Sequence, residues 1–166
     1  MKLFIITSVL VLMSNFVWAQ NQKIAYIESE RIVPEMSAYK KAQSELEAYT
    51  KQLQKVLQQK QMALEKDYAA VMDSIQKGIM NQLQQQRAQI RIQNGQQKLQ
   101  QEALEADKKV VKKEGDLIEP LYKKFNEALE AVAKVEGYTY ILDKKFMLYA
   151  VSGIDATDKV RAKLGI

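Results

Sequence analysis

The side chains that could do chemistry in this chain are carboxylates, amines and guanidinium groups, because it has 20 Asp and Glu and 25 Lys and Arg but no His and no Cys. Without Cys it has no disulfide, thiolate zinc site, iron–sulfur cluster or Cys nucleophile. Without His it lacks the usual serine triad and imidazole metal ligands. Neither phosphate-binding motif, G-x-G-x-x-G or G-x-x-x-x-G-K-[ST], occurs. The carboxylates are scattered on predicted helices, where they are usually solvated. The sequence therefore predicts no enzyme, no metal site and no cofactor.

The most concentrated charge is cationic. Residues 77–101 contain ten Gln and no carboxylate, and they hold four cations: Lys77, Arg87, Arg91 and Lys98. One interpretation is an ordinary solvated helix face. The other is a mobile basic tip that attracts acidic protein segments or an anionic lipid surface over long range, in a salt-dependent way. Nucleic acid is not expected as a partner, because no recognition motif or aromatic stacking stripe accompanies the cations.

The N-terminus has the pattern of a secretory signal peptide. Met1-Lys2 is followed by an uncharged, largely apolar run from Leu3 to Val17, which is short for a spanning helix of ~20 residues. Small residues at Val17 and Ala19 place cleavage before Gln20. We therefore expect residues 1–19 to be a signal peptide and the mature chain to be exported. The alternative is a retained N-terminal anchor.

The elements that would position the basic segment form a long helical hairpin over residues 35–118. A strand over Lys23–Ser29, within a first body part at 20–34, precedes it. Gly78 is a helix stop, which places the tip near residues 73–81 between two arms of ~40 residues, each ~60 Å long. Apolar residues at three- and four-residue steps predict the seam where the arms pack: Tyr39, Ala42, Leu46, Tyr49, Leu53, Leu57, Leu64, Tyr68, Val71 and Ile75, then Ile79, Leu83, Ile90, Leu99, Ala103, Ala106, Val110 and Leu117. Gln86, Gln93 and Gln97 fall near seam positions, which predicts a loosely packed distal arm.

Residues 119–166 form the second part of the body. Pro120 is expected to begin a new helical stretch or to kink the second arm. The runs Tyr138–Asp143 and Phe146–Val151, joined across Lys144-Lys145, predict a β-hairpin, and a short helix ends the chain. The predicted fold class is therefore α+β and mainly α, with a small β-body from which the hairpin projects.

A body of this size makes a marginal core and leaves strand edges exposed. We expect subunits to share the β-body; the alternative is a monomer whose hairpin folds back on the sheet. The candidates for subunit contacts are Ile24, Tyr26, Ile27, Tyr140, Leu142, Phe146 and Leu148. The candidates for partner contacts are the basic tip (Lys77, Arg87, Arg91 and Lys98) and an arm face made of Tyr39, Leu46, Tyr49, Leu53, Tyr68 and Met72. The simpler interpretation of that face is packing between the arms.

The layout resembles the Skp/OmpH family of periplasmic chaperones over residues 20–166. The resemblance rests on Lys23-Ile-Ala-Tyr-Ile-Glu-Ser29, Arg31-Ile-Val-Pro-Glu-Met36, Val132-Ala-Lys-Val-Glu-Gly-Tyr-Thr-Tyr-Ile-Leu-Asp143, Leu148-Tyr-Ala150 and Asp155-Ala-Thr-Asp-Lys-Val160. It implies a homotrimer whose helical arms enclose a cavity. Such a protein binds unfolded outer-membrane proteins in the periplasm without ATP and prevents their aggregation. A structural or tethering coiled-coil protein of the cell envelope is the alternative function.

Overall fold

Two long helices dominate the structure. The computed structural model describes residues 22–149 and 153–166, and the predicted signal peptide lies outside them. The elements, in order, are β1 (Ile24–Ile27), α1 (Ser29–Ile32), a 3₁₀ turn (Val33–Glu35), α2 (Ser37–Gln76), α3 (Gln82–Glu136), β2 (Tyr140–Asp143), a second 3₁₀ turn (Lys144–Phe146), β3 (Ile154–Asp155) and α4 (Thr157–Leu164). With α2 of 40 residues and α3 of 55, the predicted class, mainly α with a small β-body, is confirmed.

Helices α2 and α3 form an antiparallel hairpin, which we call the arm, and its tip is the turn at residues 77–81. Gly78 adopts φ +65°, a conformation that glycine enters without steric cost. Helix α3 then begins with a capping box. The Asn81 side chain accepts a hydrogen bond from the Gln84 N–H at 2.9 Å, and the Gln84 side chain accepts one from the Asn81 N–H at 2.9 Å. Local sequence at the tip thus ends one helix and starts the next.

The distal part of the arm packs through small and apolar residues, not through Gln. Val71, Ala88 and Ile92 are buried there, with Leu64, Ile75 and Met80 around them. The predicted seam was wrong at its distal end, because Leu83 and Ile90 are exposed and so are Gln86, Gln93 and Gln97. Tyr68, also placed in the seam, is exposed as well. Helix α3 carries two apolar stripes, and the one with the smaller side chains faces α2.

The body holds a three-stranded sheet in the order β2-β1-β3, and all strands are parallel. Strand β1 pairs with β2 from Ile24 opposite Tyr140 to Ile27 opposite Asp143. The predicted β-hairpin was therefore wrong. Residues 144–146 form a 3₁₀ turn and residues 147–149 are not in a strand, while the rest of the second predicted strand lies outside the described residues. Parallel strands need a long crossover, and the arm is that crossover.

The hydrophobic core joins the sheet to the base of α3 and to α4. Its most deeply buried large side chains are Ile32 and Val160, and the rest of the cluster comprises Ala25, Ile27, Phe125, Ala128, Val132, Tyr138 and Ala156. Helix α3 continues through Pro120, so no new helix begins there. Pro120 has no N–H to donate, so the helix lacks one backbone hydrogen bond there. The side chains of Leu121 and Phe125, which follow it, are buried and pack the helix against the body. Within the described ranges, no helix is long and apolar enough to cross a membrane.

Candidate functional site

One edge of the arm is closed by three ion pairs between α2 and α3. The pairs are Glu45 with Lys113 at 2.6 Å, Lys60 with Glu102 at 2.6 Å, and Asp67 with Arg91. Arg91 contacts both Asp67 oxygens, with Nε at 3.0 Å and Nη2 at 2.7 Å. The hydrogen bonds from Lys113 and Lys60 lower the pKa of Glu45 and Glu102 below the ordinary value. These three pairs link α2 to α3 and leave the charges of this edge largely neutralised.

The four predicted tip cations have different surroundings. Arg91 is held by Asp67, and Lys77, just after α2, contacts Asp73 of that helix at 2.8 Å. In the described part of the chain, no ion pair within 4.0 Å involves Arg87 or Lys98. Arg87 and Lys98 are therefore the two cations of this segment that lie outside ion-pair distance of a carboxylate in the described residues, and the charge of Lys98 still acts on nearby Glu102.

The predicted contact face of α2 divides into two groups. Tyr39, Leu46, Tyr49 and Leu53 are half-buried, and Tyr39 packs beside the cluster of Met36, Ala42 and Leu121. Tyr68 and Met72 are exposed and available to a partner. Near the body, this face therefore belongs mainly to the packing between α2 and α3, as the simpler interpretation has it.

A second apolar stripe runs along α3 on the side away from α2. We call its four residues the outer stripe: Leu83, Ile90, Leu104 and Val111. Their exposures lie between 51% and 68%. Two positions after Ile90 and Leu104 come buried Ile92 and Ala106, and two positions after Val111 comes Lys113, which pairs with Glu45 of α2. Two residues correspond to 200° around a helix, so the outer stripe faces solvent. Leu104 and Val111 were not predicted, although their separations of fourteen and seven residues from Ile90 and Leu104 could have revealed them.

The body also exposes apolar side chains. Of the predicted subunit-contact residues, Ile27 is buried in the core and Tyr26 is half-buried, but Phe146 is 79% exposed and Leu148 is fully exposed. The other exposed members of the predicted set are Ile24, Tyr140 and Leu142, and two further exposed residues, Tyr149 and Ile154, were not predicted. Strands β2 and β3 are sheet edges in the single chain. Apolar patches and free strand edges together are typical of a surface that another chain covers.

A cleft of about 330 Å³ lies where the arm joins the body. It is mostly apolar, with Val33, Met36, Tyr39, Leu121 and Tyr122 among its lining residues. Beside it, Glu28 is hydrogen-bonded by Lys144 and Arg31, and these bonds lower its pKa. Within the described residues, no group of three or more carboxylates is placed to hold a metal ion. The cleft therefore presents a mostly apolar surface at the junction of the arm and the body.

Comparisons with known proteins agree with this architecture. The model of a family described as outer membrane protein (OmpH-like) matches residues 23–164. A crystal structure of a Caulobacter crescentus CB15 protein, described as an OmpH-like outer membrane chaperone, superposes with a TM-score of 0.75 at 20% sequence identity. The match covers 86% of this chain and 83% of that chain, and at this identity it shows the fold. The comparison with curated proteins found no match.

Proposed function

This chain belongs to the OmpH-like family of outer membrane proteins, and from that premise we propose that it is an ATP-independent holdase chaperone of the periplasm. Its clients are unfolded outer-membrane β-barrel proteins, which it keeps from aggregating. The main support for the proposal is the length and the exposed surface of the arm. A hairpin with helices of 40 and 55 residues projects from a small body and exposes isolated apolar side chains along its length.

We infer that the working form is an oligomer, and the family resemblance supports a homotrimer. The body of one chain leaves Phe146 and Leu148 exposed and leaves the outer edges of β2 and β3 without a neighbouring strand in the described sheet. Fewer than ~70 body residues make a marginal core unless another surface completes it. Neighbouring subunits that cover these residues bury apolar area and leave the arms to enclose a cavity.

The arms suit a client that has no fixed structure. An unfolded barrel protein exposes alternating apolar residues that pair edge to edge with other chains. Sparse contacts from residues such as Tyr68, Met72 and the outer stripe bind it weakly at many points. The client stays mobile, so the ordering cost of binding is low. Arg87 and Lys98 add long-range attraction to acidic client segments or to an anionic lipid surface.

Export is part of the proposal. Residues 1–19 act as the signal peptide and are removed near Ala19-Gln20. Sequencing the N-terminus of the protein recovered from the periplasm tests this step. A chain that begins at Met1 would contradict it.

The decisive experiment uses client fluorescence, because the chain's one Trp is Trp18, which the mature protein lacks. A Trp-containing barrel protein is diluted from urea into residues 20–166, and Trp emission is followed together with light scattering. We expect a blue shift and suppressed scattering at near-stoichiometric chaperone. A folded Trp-containing protein is the control and should show no shift.

The competing function is a structural tether of the cell envelope. Unchanged scattering and emission, with the chaperone shown to be folded by circular dichroism, would favour the tether. So would one tight, saturable complex with a single folded protein.

A further inference from the structure

The cleft of about 330 Å³ separates the base of the arm from the turn that precedes α2. Val33 lines it from the side of the body, while Tyr39, Leu121 and Tyr122 line it from the two arm helices. Apolar pockets that bind a ligand have volumes of ~300–1,000 Å³, so this cleft has room for one aromatic side chain. Burying an apolar group there removes apolar surface of both partners from water, which favours binding.

Exposed apolar side chains follow directly after the cleft in the sequence. Lys145 lines the cleft, and residues 146–149, which we call the protruding segment, come next. Within this segment Phe146, Leu148 and Tyr149 are each at least 79% exposed. Phe146 does not belong to the lining of the cleft in its own chain. In the single chain, the protruding segment and the cleft therefore lie side by side, and neither covers the other.

We propose that Phe146 of one subunit fills the cleft of a neighbouring subunit. The inference rests on the proposed function, since it takes the homotrimer as the working form. A protruding side chain and a cleft at different places on one chain make a head-to-tail contact, and such contacts generate rings when the rotation closes. In a cyclic trimer, each subunit gives Phe146 to one neighbour and receives Phe146 from the other.

Continuity of the surface favours a second copy as the occupant. Phe146 and Leu148 are candidates for subunit contacts, and Lys145 joins them to the cleft without a break in the chain. An interface that covers the protruding segment therefore reaches the mouth of the cleft. A folded subunit also presents Phe146 at one fixed place, whereas an unfolded client has no residue at a fixed place.

Phe146 supplies the anchor of this interface and not its whole area. A stable interface buries ~800 Å² per partner, whereas a single aromatic side chain buries ~150–250 Å². The face of the sheet that carries exposed Ile24, Tyr140 and Leu142 supplies further area. Anchors in fitted pockets contribute most of the binding energy of an interface, so the oligomer should depend strongly on Phe146.

The charges at the cleft are compatible with an incoming aromatic ring. Glu30 and Lys145 both line it and have opposite signs. Lys145 Nζ lies 5.0 Å from the centre of the Phe146 ring in its own chain, and an ammonium group over an aromatic face is attracted to it. Lys145 of the receiving subunit can make the same contact with the ring that enters.

A filled cleft connects assembly to the direction of the arm. The walls come from both arm helices and from the body, so a side chain between them fixes the angle at which the arm leaves. Helix α3 lacks one backbone hydrogen bond at Pro120, directly beside Leu121 and Tyr122. Packing in the cleft therefore holds the helix at this point, and the arms take their final direction in the oligomer.

The test measures whether position 146 enters the cleft of another chain. The mature protein lacks Trp, so Phe146→Trp introduces one fluorophore and keeps an aromatic ring. A second preparation carries Tyr122→Cys, labelled with a nitroxide quencher at the edge of the cleft, since the chain has no other Cys. The control carries the same label at Val135→Cys, which is exposed on α3 and lies outside the cleft. Phe146→Trp is refolded with an excess of either labelled protein.

Sedimentation and circular dichroism first establish that the mixed proteins are oligomeric and folded. We expect the label at position 122 to lower the indole emission about twofold or more, because each ring position meets one neighbour and most neighbours carry the label. The label at position 135 should lower it far less. Equal quenching by both labels, or none, in an oligomeric mixture would overturn the contact and leave the proposed function standing.

A second variant measures the role of Phe146 as the anchor. Phe146→Asp should fold, because position 146 is exposed in the single chain, and its mass in sedimentation should shift from the oligomer toward the monomer. An unchanged mass would remove Phe146 from the cleft of the neighbour, since a charge is costly to bury there. A monomeric mass for the unaltered protein would overturn the oligomer and the contact together.

Discussion

Gly95 of α3 lies directly against Leu64 of α2, so closely that a β-carbon at position 95 would be 2.8 Å from Leu64 Cδ1. Ordinary carbon contacts are ~3.5–4.0 Å long. The Leu64 side chain therefore occupies space that is open because position 95 has no side chain. Gly115, in the same helix, has no atom within 4 Å of the corresponding point.

This difference predicts opposite effects of filling the two positions. Gly95→Val should lower the free energy of unfolding by ~1–3 kcal/mol, because a branched side chain overpacks the contact with Leu64. Gly115→Ala should raise it by ~0.5–1 kcal/mol, because Ala has the better helix propensity and the space is open. Urea unfolding followed by circular dichroism at 222 nm measures both changes.

A double variant checks the cause. Leu64→Ala in the Gly95→Val background removes the clashing atoms, so the double variant should be more stable than the sum of the two single effects predicts. Simple additivity would show that Gly95 matters for another reason.

The ion-paired edge predicts a loss of arm stability in acid. The pKa values of Glu45 and Glu102 lie below the ordinary 4.5 in the folded arm because Lys113 and Lys60 donate hydrogen bonds to them. A carboxylate with a lowered folded pKa stabilises the fold above its unfolded pKa, and this contribution disappears as the pH falls through the folded value. We therefore expect the melting temperature to be level from pH 8 to 6 and to fall below about pH 4.5.

The double variant Glu45→Gln/Glu102→Gln should melt lower at pH 7 and should show a shallower fall in acid. Its matched control is Glu105→Gln/Glu119→Gln, which removes two arm carboxylates that make no ion pair in the described part of the chain. If both variants follow the same pH profile, the edge pairs do not hold the arm.

The sequence predicted features that depend on neighbouring residues and missed those that depend on distant ones. Gly78 signals a helix stop in any context, because it can take the left-handed conformation at the tip. The strand at Ile24–Ile27 was recognisable, but its partners were not. Two apolar runs close together favoured a local hairpin, whereas β1 from the start of the chain lies between β2 and β3 from its end.

In the arm, too, the prediction failed for single residues whose burial depends on a distant part of the chain. Leu83 and Ile90 are more apolar than Ala88, so the pattern assigned them to the contact with α2. Close packing of two helices instead favours small side chains, which is why Ala88 is buried and Gly95 touches Leu64. Only the position of α2 distinguishes the two stripes of α3.

The exposure of Leu148 on the body predicts that a charged residue at this position lowers the mass of the oligomer in solution. Leu148 is fully exposed in the single chain, so Leu148→Asp should not unfold it. If a neighbouring subunit covers Leu148, the buried charge should shift sedimentation at micromolar concentration from the oligomer toward the monomer. Met62→Asp, on the arm, should leave the mass unchanged. An oligomer that tolerates Leu148→Asp would remove this residue from the interface.

The basic segment predicts salt-dependent binding. Replacing Lys77, Arg87, Arg91 and Lys98 by Gln should slow association with an unfolded client at low salt, and the difference should shrink above 0.1 M salt, where the screening length is ~10 Å or less. Stopped-flow Trp fluorescence of the client gives the rate. A control with Lys40, Lys41, Lys123 and Lys124 replaced by Gln removes the same charge near the body. Equal slowing in both would assign the effect to net charge and not to the tip.

The order of the sheet also determines when the protein can fold. Strand β1 stays unpaired until residues 140–155 are available to it, because β2 and β3 come from the other end of the chain. Helical hairpins form from local contacts, which fold fastest. The arm therefore folds first and brings the two ends of the chain together, and the sheet is completed last. During the wait β1 has no partner, and its length of four residues limits how well it can pair with a strand of another chain.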